Sequence, residues 1–139
     1  MTNLPAAPKQ AVGKILVADD SGDIRNLISL ILEGEGYEVL SVESGGELLE
    51  RFSAFGPDLV LLDIMMPHLS GFEVLEALRA DADSHSASVP IVMITAKSLD
   101  SDIQMALELG ATSYIIKPFR AEALKSKIAT YFGAEEQRV

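Results

Sequence analysis

Five short apolar runs, separated by stretches whose apolar residues recur every three or four positions, constrain this chain more than any other feature. The first run is KILVA, Lys14 to Ala18; Ile24, Leu27, Ile28, Ile31 and Leu32 then repeat at helical spacing until Gly34 and Gly36 supply a stop. YEVLSV, Tyr37 to Val42, is the second run, and Leu48, Leu49, Phe52 and Phe55 form the next stripe, closed near Gly56-Pro57. DLVLL, Asp58 to Leu62, leads to a helix that starts near Gly71 and carries Val74, Leu75 and Leu78 inward. The segment DADSHSAS, Asp81 to Ser88, has no periodicity and reads as a polar loop. Pro90 opens the fourth run, PIVMIT, where a first-position proline removes no essential ladder donor. Leu99, Ile103, Ala106 and Leu107 mark a fourth helix that Gly110 ends, TSYIIK is the fifth strand, and Leu124, Ile128, Tyr131 and Phe132 are the stripe of a fifth helix.

Strands with mostly apolar cores, alternating with helices, imply a parallel sheet covered on both faces. Right-handed crossovers then give an α/β, doubly wound, flavodoxin-like fold: five parallel strands in the order 2-1-3-4-5, with five helices. One domain is expected from residue 14 to 133, with residues 1–13 as a tail or linker and 134–139 as a C-terminal tail.

Composition narrows the partners. Eleven Lys and Arg stand against 21 Asp and Glu, a formal charge of -10, which argues against direct nucleic-acid binding because a phosphate backbone needs a basic face. There is no cysteine, so disulfides and thiolate metal sites are excluded. The N-terminal MTNLPAAPKQAVG does not read as a signal peptide, and no apolar stretch approaches the roughly 18 residues of a membrane span. A cytoplasmic protein without membrane contact is the expectation.

In a doubly wound sheet, ligands bind at the carboxyl ends of the strands, beside the point where strand order reverses. There the sequence sets Asp19 and Asp20 after strand one, Asp63 after strand three, Thr95 at the end of strand four and Lys117 at the end of strand five. Two like unit charges about 4 Å apart repel by on the order of 4 kcal/mol at an effective dielectric of about 20. Three crowded carboxylates therefore call for a cation or a proton. Lys117 offers one positive charge, and the remaining excess suits a hard divalent ion with oxygen ligands, such as magnesium.

Each residue taken alone has a plainer explanation. Asp20 or Ser21 caps a helix, Asp63 is a turn residue before Pro67, Thr95 is a good strand former, and Lys117 is a solvated charge. His68 and His85 read as exposed loop residues, and Met65 and Met66 as packing or loop-lining side chains. The coincidence of four independent positions at one sheet edge is what packing does not explain.

ILVADD, LLDIMMPHLSGFEVL, IVMITA and SYIIKPF together resemble the receiver domain of two-component response regulators, of the single-domain chemotaxis-regulator type, from about Lys14 to Phe132. The resemblance implies that Asp63 is the phosphoacceptor and that Asp19 and Asp20 are the acidic pair that holds magnesium, Asp20 being the direct ligand. Asp63 and the backbone carbonyl of Met65 would complete the protein's share. It further implies a switch hydroxyl at Thr95, a phosphoryl-pairing lysine at Lys117, an aromatic switch at Tyr114 and a cis Lys117-Pro118 bond. A histidine kinase or histidine phosphotransfer protein would donate the phosphoryl group, and the face of the fourth helix, fifth strand and fifth helix would meet a downstream protein or form a phosphorylation-dependent homodimer.

The chemistry of the residues agrees with these roles: a carboxylate can attack phosphorus to give an acyl phosphate, provided the charge on the transferred oxygens is neutralised. Such a chain catalyses its own phosphorylation and dephosphorylation yet is primarily a switch. A flavodoxin-like cofactor binder needs a phosphate-cradling loop where ADDSGD stands, and a phosphatase of the haloacid dehalogenase type wants an Asp at Met65. A receiver-like interaction module that is not phosphorylated, and a receiver belonging to a longer regulator, both stay open.

Overall fold

A computed structural model describes residues 11–132; of the tails expected at 1–13 and 134–139, residues 1–10 and 134–139 lie outside the described residues. Five strands, β1 (Lys14–Ala18), β2 (Glu38–Val42), β3 (Leu59–Leu62), β4 (Ile91–Thr95) and β5 (Ser113–Ile116), form one parallel sheet in the order β2-β1-β3-β4-β5. The helices are α1 (Gly22–Gly34), α2 (Gly45–Phe55), α3 (Gly71–Ala80), α4 (Ser84–Ser88), α5 (Asp100–Glu108) and α6 (Ala121–Ala129).

Successive strand side chains point to opposite faces, so each central strand feeds two cores. Leu16, Val60, Leu62, Ile91 and Met93 pack with Leu48 and Phe52 of α2 and Val74, Leu75 and Leu78 of α3. Ile15, Val17, Leu59, Leu61, Val92 and Ile94 pack on the other side with Ile28 and Leu32 of α1 and Leu124 and Ile128 of α6. All four residues of β3 are fully buried, which is why its sequence is uniformly apolar.

Serine side chains set the starts of α1, α2 and α3. Ser21 Oγ accepts from the Ile24 N–H at 3.3 Å, Ser44 Oγ from Glu47 at 3.1 Å, and Ser70 forms a reciprocal capping box with Glu73.

Three features differ from expectation. The polar segment before β4 contains the short helix α4, giving six helices among the described residues rather than five. It is built from polar bonds instead of an apolar stripe: Asp83 caps His85 N–H at 3.0 Å, the Ser86 and Ser88 hydroxyls donate to the carbonyls of Asp83 and Ser84, and, across the fold, His85 Nε2 lies 2.7 Å from the Pro57 carbonyl. In α5 only Ala106 of the expected stripe is buried, while Leu99 and Leu107 are exposed. Tyr131 and Phe132 lie beyond the end of α6 but still pack on its side of the sheet, Phe132 with its ring centroid 4.8 Å from that of Tyr37.

Candidate functional site

Parallel pairing brings the ends of β1, β3, β4 and β5 together. The N–H of Asp63 donates to the Ala18 carbonyl at 3.0 Å and that of Lys117 to the Thr95 carbonyl at 2.8 Å, so each functional residue is fixed by its neighbour strand. Carboxylate oxygens of Asp19, Asp20 and Asp63 lie within 4.8 Å of one another, Asp19 and Asp63 buried and Asp20 exposed at the rim.

Lys117 bridges the two buried acids, its Nζ 2.7 Å from Asp19 Oδ2 and 3.0 Å from Asp63 Oδ2. The other oxygen of each carboxylate is also held: Asp19 Oδ1 accepts the Ser21 N–H at 2.9 Å, and Asp63 Oδ1 accepts the Met65 N–H at 3.1 Å. Burial pushes the Asp19 carboxyl above its ordinary range; the bonds from Lys117 and Ser21 pull it back only in part, and the Asp63 charge adds to the rise. Burial works against the Lys117 ammonium, but its bonds to Asp19 and Asp63 outweigh that and leave its pKa raised. The lysine is therefore charged, and one ammonium faces three carboxylates. That hard oxygen donor set with its uncompensated charge fits a divalent cation of the magnesium kind.

Thr95 is fully buried at the end of β4, its Oγ1 accepting a long bond of 3.4 Å from the Lys97 N–H. Tyr114, half-buried on β5, donates its hydroxyl to the Lys97 carbonyl at 2.8 Å. Its phenol is pushed up to about 12, by burial first and then by the charges of Asp102 and Asp63. The Lys117-Pro118 peptide bond is cis. Met65 is exposed while Met66 is buried, and His68 is an exposed loop residue at φ 69. His68 and His85 are both outside the acidic cluster.

Two contributors escape the sequence reading. Arg25 on α1 donates from Nη1 to the Asp19 backbone carbonyl at 2.7 Å, tying the acidic loop to the helix that follows it. Gly71 starts α3 against the backbone of Asp63; a Cβ there would strike the Asp63 carbonyl oxygen. The helical spacing of Arg25 marks it only as a non-core position, whereas Gly71, eight residues after Asp63, is a signal in plain view.

Residues 15–129 match the family model of the response regulator receiver domain. The DNA-binding response regulator MtrA of Mycolicibacterium paratuberculosis is 39% identical over 115 residues, 83% of this chain and 49% of that protein. The chain thus spans about half the length of the curated relatives it matches. Vibrio cholerae chemotaxis protein CheY4, crystallized at low pH, superposes with a TM-score of 0.81 at 33% identity, covering 87% of this chain and 99% of that one. The BeF3-activated N-terminal receiver domain of Klebsiella pneumoniae RstA gives a TM-score of 0.79 at 29% identity, covering 86% and 97%. The expectation of no nucleic-acid partner finds no support here, since MtrA is itself named as DNA-binding. No helix among the described residues is long and apolar enough to cross a membrane. With matching strand order, a three-carboxylate edge and a family match covering most of its length, this chain belongs to the response regulator receiver domain family of two-component signal transduction.

Proposed function

We propose that Asp63 accepts a phosphoryl group from a phosphohistidine on a histidine kinase or histidine phosphotransfer protein, and that the product switches a protein-binding face. The observation that carries this reading is the Lys117 ammonium shared between Asp19 and Asp63, at 2.7 and 3.0 Å, with the exposed Asp20 at the rim. In the transfer, an Asp63 oxygen forms a new P–O bond, the P–N bond of phosphohistidine breaks, and its electron pair leaves with the imidazole. Lys117 and the Thr95 hydroxyl would take up charge on the phosphoryl oxygens. Asp20, Asp63 and the Met65 carbonyl would hold magnesium, with Asp19 in support because its oxygens already accept from Lys117 and Ser21. When bound, that ion supplies positive charge against the transferred oxygens.

Thr95 and Tyr114 then form the switch, linked through the backbone of Lys97. The readout face lies on α5, β5 and α6, where Leu99, Met105, Leu107 and Ile116 are exposed apolar residues; it suits a reversible downstream protein or a phosphorylation-dependent homodimer. The domain, residues 14–133 in this reading, works in the cytoplasm and catalyses its own phosphorylation and dephosphorylation. Incubation with a small phosphodonor and magnesium labels the parent, whereas Asp63→Asn, nearly isosteric but without the nucleophile, takes up no label. Equal labelling of the two proteins would refute the assignment.

A further inference from the structure

Lys97 stands where the switch side chains, the acidic pocket and the start of α5 meet. Its N–H donates to Thr95 Oγ1 and its carbonyl accepts from the Tyr114 hydroxyl, so both switch side chains hold the backbone of this one residue. Its ammonium lies 3.7 Å from Asp102 Oδ1, in the first turn of α5. With Asp20, Met65, Met66 and Phe72 it also lines a hollow of about 530 Å³ that Ile64, the residue following Asp63, lines as well.

The pair with Asp102 is loose. Its separation exceeds the roughly 2.7–2.9 Å of a charge-assisted hydrogen bond, and the lysine side chain is 39% exposed. The first turn of α5 has little else to hold it: Leu99 at its start makes no side-chain cap bond and is exposed, and the one buried residue of the helix, Ala106, lies near its far end.

We propose that Lys97 is a phosphoryl-sensing cation: when Asp63 carries a phosphoryl group, the Lys97 ammonium leaves Asp102 for the phosphoryl oxygens and frees the first turn of α5. The inference rests on Asp63 being the acceptor. A phosphoryl group presents a nearly dianionic cluster of three acceptor oxygens, against the single carboxylate of Asp102. Asp102 loses little on separation, because a carboxylate in the first turn stays favoured by the helix dipole. The lysine stem reorients by bond rotation while its backbone stays fixed. The differential affinity of one side chain for two anions thus converts charge at Asp63 into a change at α5.

Magnesium with beryllofluoride, titrated into the parent, Lys97→Met and Asp102→Asn while backbone amide resonances are followed, tests this. Lys97→Met, which keeps the stem, loads about tenfold more weakly, as expected for one lost bond to a charged group. Asp102→Asn, which releases Lys97 beforehand, loads more tightly than the parent. The amides of Asp102 and Ile103 shift further on loading in the parent than in Lys97→Met, where only the Thr95–Tyr114 route remains. A parent that takes up no beryllofluoride overturns the reading of Asp63 and this inference with it. Loading of the parent, with Lys97→Met equal to it in affinity or in its α5 shifts, overturns the inference alone.

Discussion

The smallest informative perturbation of the site is one methyl group, added as Gly71→Ala. Besides striking the Asp63 carbonyl oxygen, that Cβ would lie 2.7 Å from Ile64 Cα and 2.8 Å from Asp63 C. Carbon atoms prefer about 3.5–4.0 Å, so roughly an ångström must be found, and all three obstacles are backbone. Overpacking of this kind costs about 1–3 kcal/mol. Gly46 supplies the control: it also sits in a first turn behind a serine cap, and its Cβ would meet nothing within 4 Å. Alanine there stabilises by about 0.4–1 kcal/mol through the unfolded chain, and Gly71→Ala receives the same benefit before the clash is counted. The difference between the two variants therefore isolates the wall, about 1–3 kcal/mol, or roughly 3–12 °C in Tm for a domain of this size. Urea midpoints and thermal melts followed by circular dichroism measure it, and the half-time of labelling reports whether Asp63, the proposed acceptor, has moved. If Gly71→Ala were as stable as Gly46→Ala and labelled at the parent's rate, α3 could not be what presses on the Asp63 backbone.

Two further expectations concern ionisation. The folded-state pKa of Asp19 is raised above its ordinary value of 3.8, so its ionisation costs stability; that cost is absent below about pH 3.8 and complete once pH passes the folded value. Without magnesium, Asp19→Asn should melt above the parent at pH 7, with the gap closing as pH falls toward 3; a lower Tm at pH 7 would mean that the Lys117 pair outweighs burial. For Tyr114 the neutral phenol is the favoured form, so its contribution to stability is intact below about pH 10 and is lost as pH rises through its folded value of about 12. Ultraviolet titration should show this late tyrosinate step in the parent and lack it in Tyr114→Phe.

The sheet is legible because a strand covered on both faces has little room for polar residues, and β3 and the first four residues of β4 announce themselves as apolar runs. The carboxylates were legible for the complementary reason, a charge placed directly after such a run at Ala18 or Leu62. α4 carries no such signal, since its order comes from serine and aspartate bonds to nearby backbone that any polar loop could make, and from a histidine bond across the fold. The α5 stripe misled because period records which side chains share a helix face and not whether that face is covered: Leu99 and Leu107 keep the spacing of a buried stripe and are exposed. Arg25 and the Lys97 carbonyl act through backbone atoms, and the need for glycine at 71 comes from a helix start laid against the Asp63 carbonyl. Those contacts exist only once the chain has folded.

The division between the two adjacent aspartates follows from where the single ammonium goes. Asp19 takes the shorter bond to Lys117, receives the Ser21 N–H, and has its own carbonyl held by Arg25, so its side chain and backbone are both committed to structure. Moving it would disturb Lys117 and the entry to α1 together. Asp20 is exposed and stands within 4.8 Å of the other carboxylates, so the unbalanced charge of the cluster meets solvent at its side. On the proposed reading, a cation arriving from water would meet Asp20 first and reach Asp63 without displacing Lys117 from Asp19. Burial would then leave Asp19 to hold the lysine and exposure would leave Asp20 to exchange the metal, although the two are chemically identical neighbours in the chain.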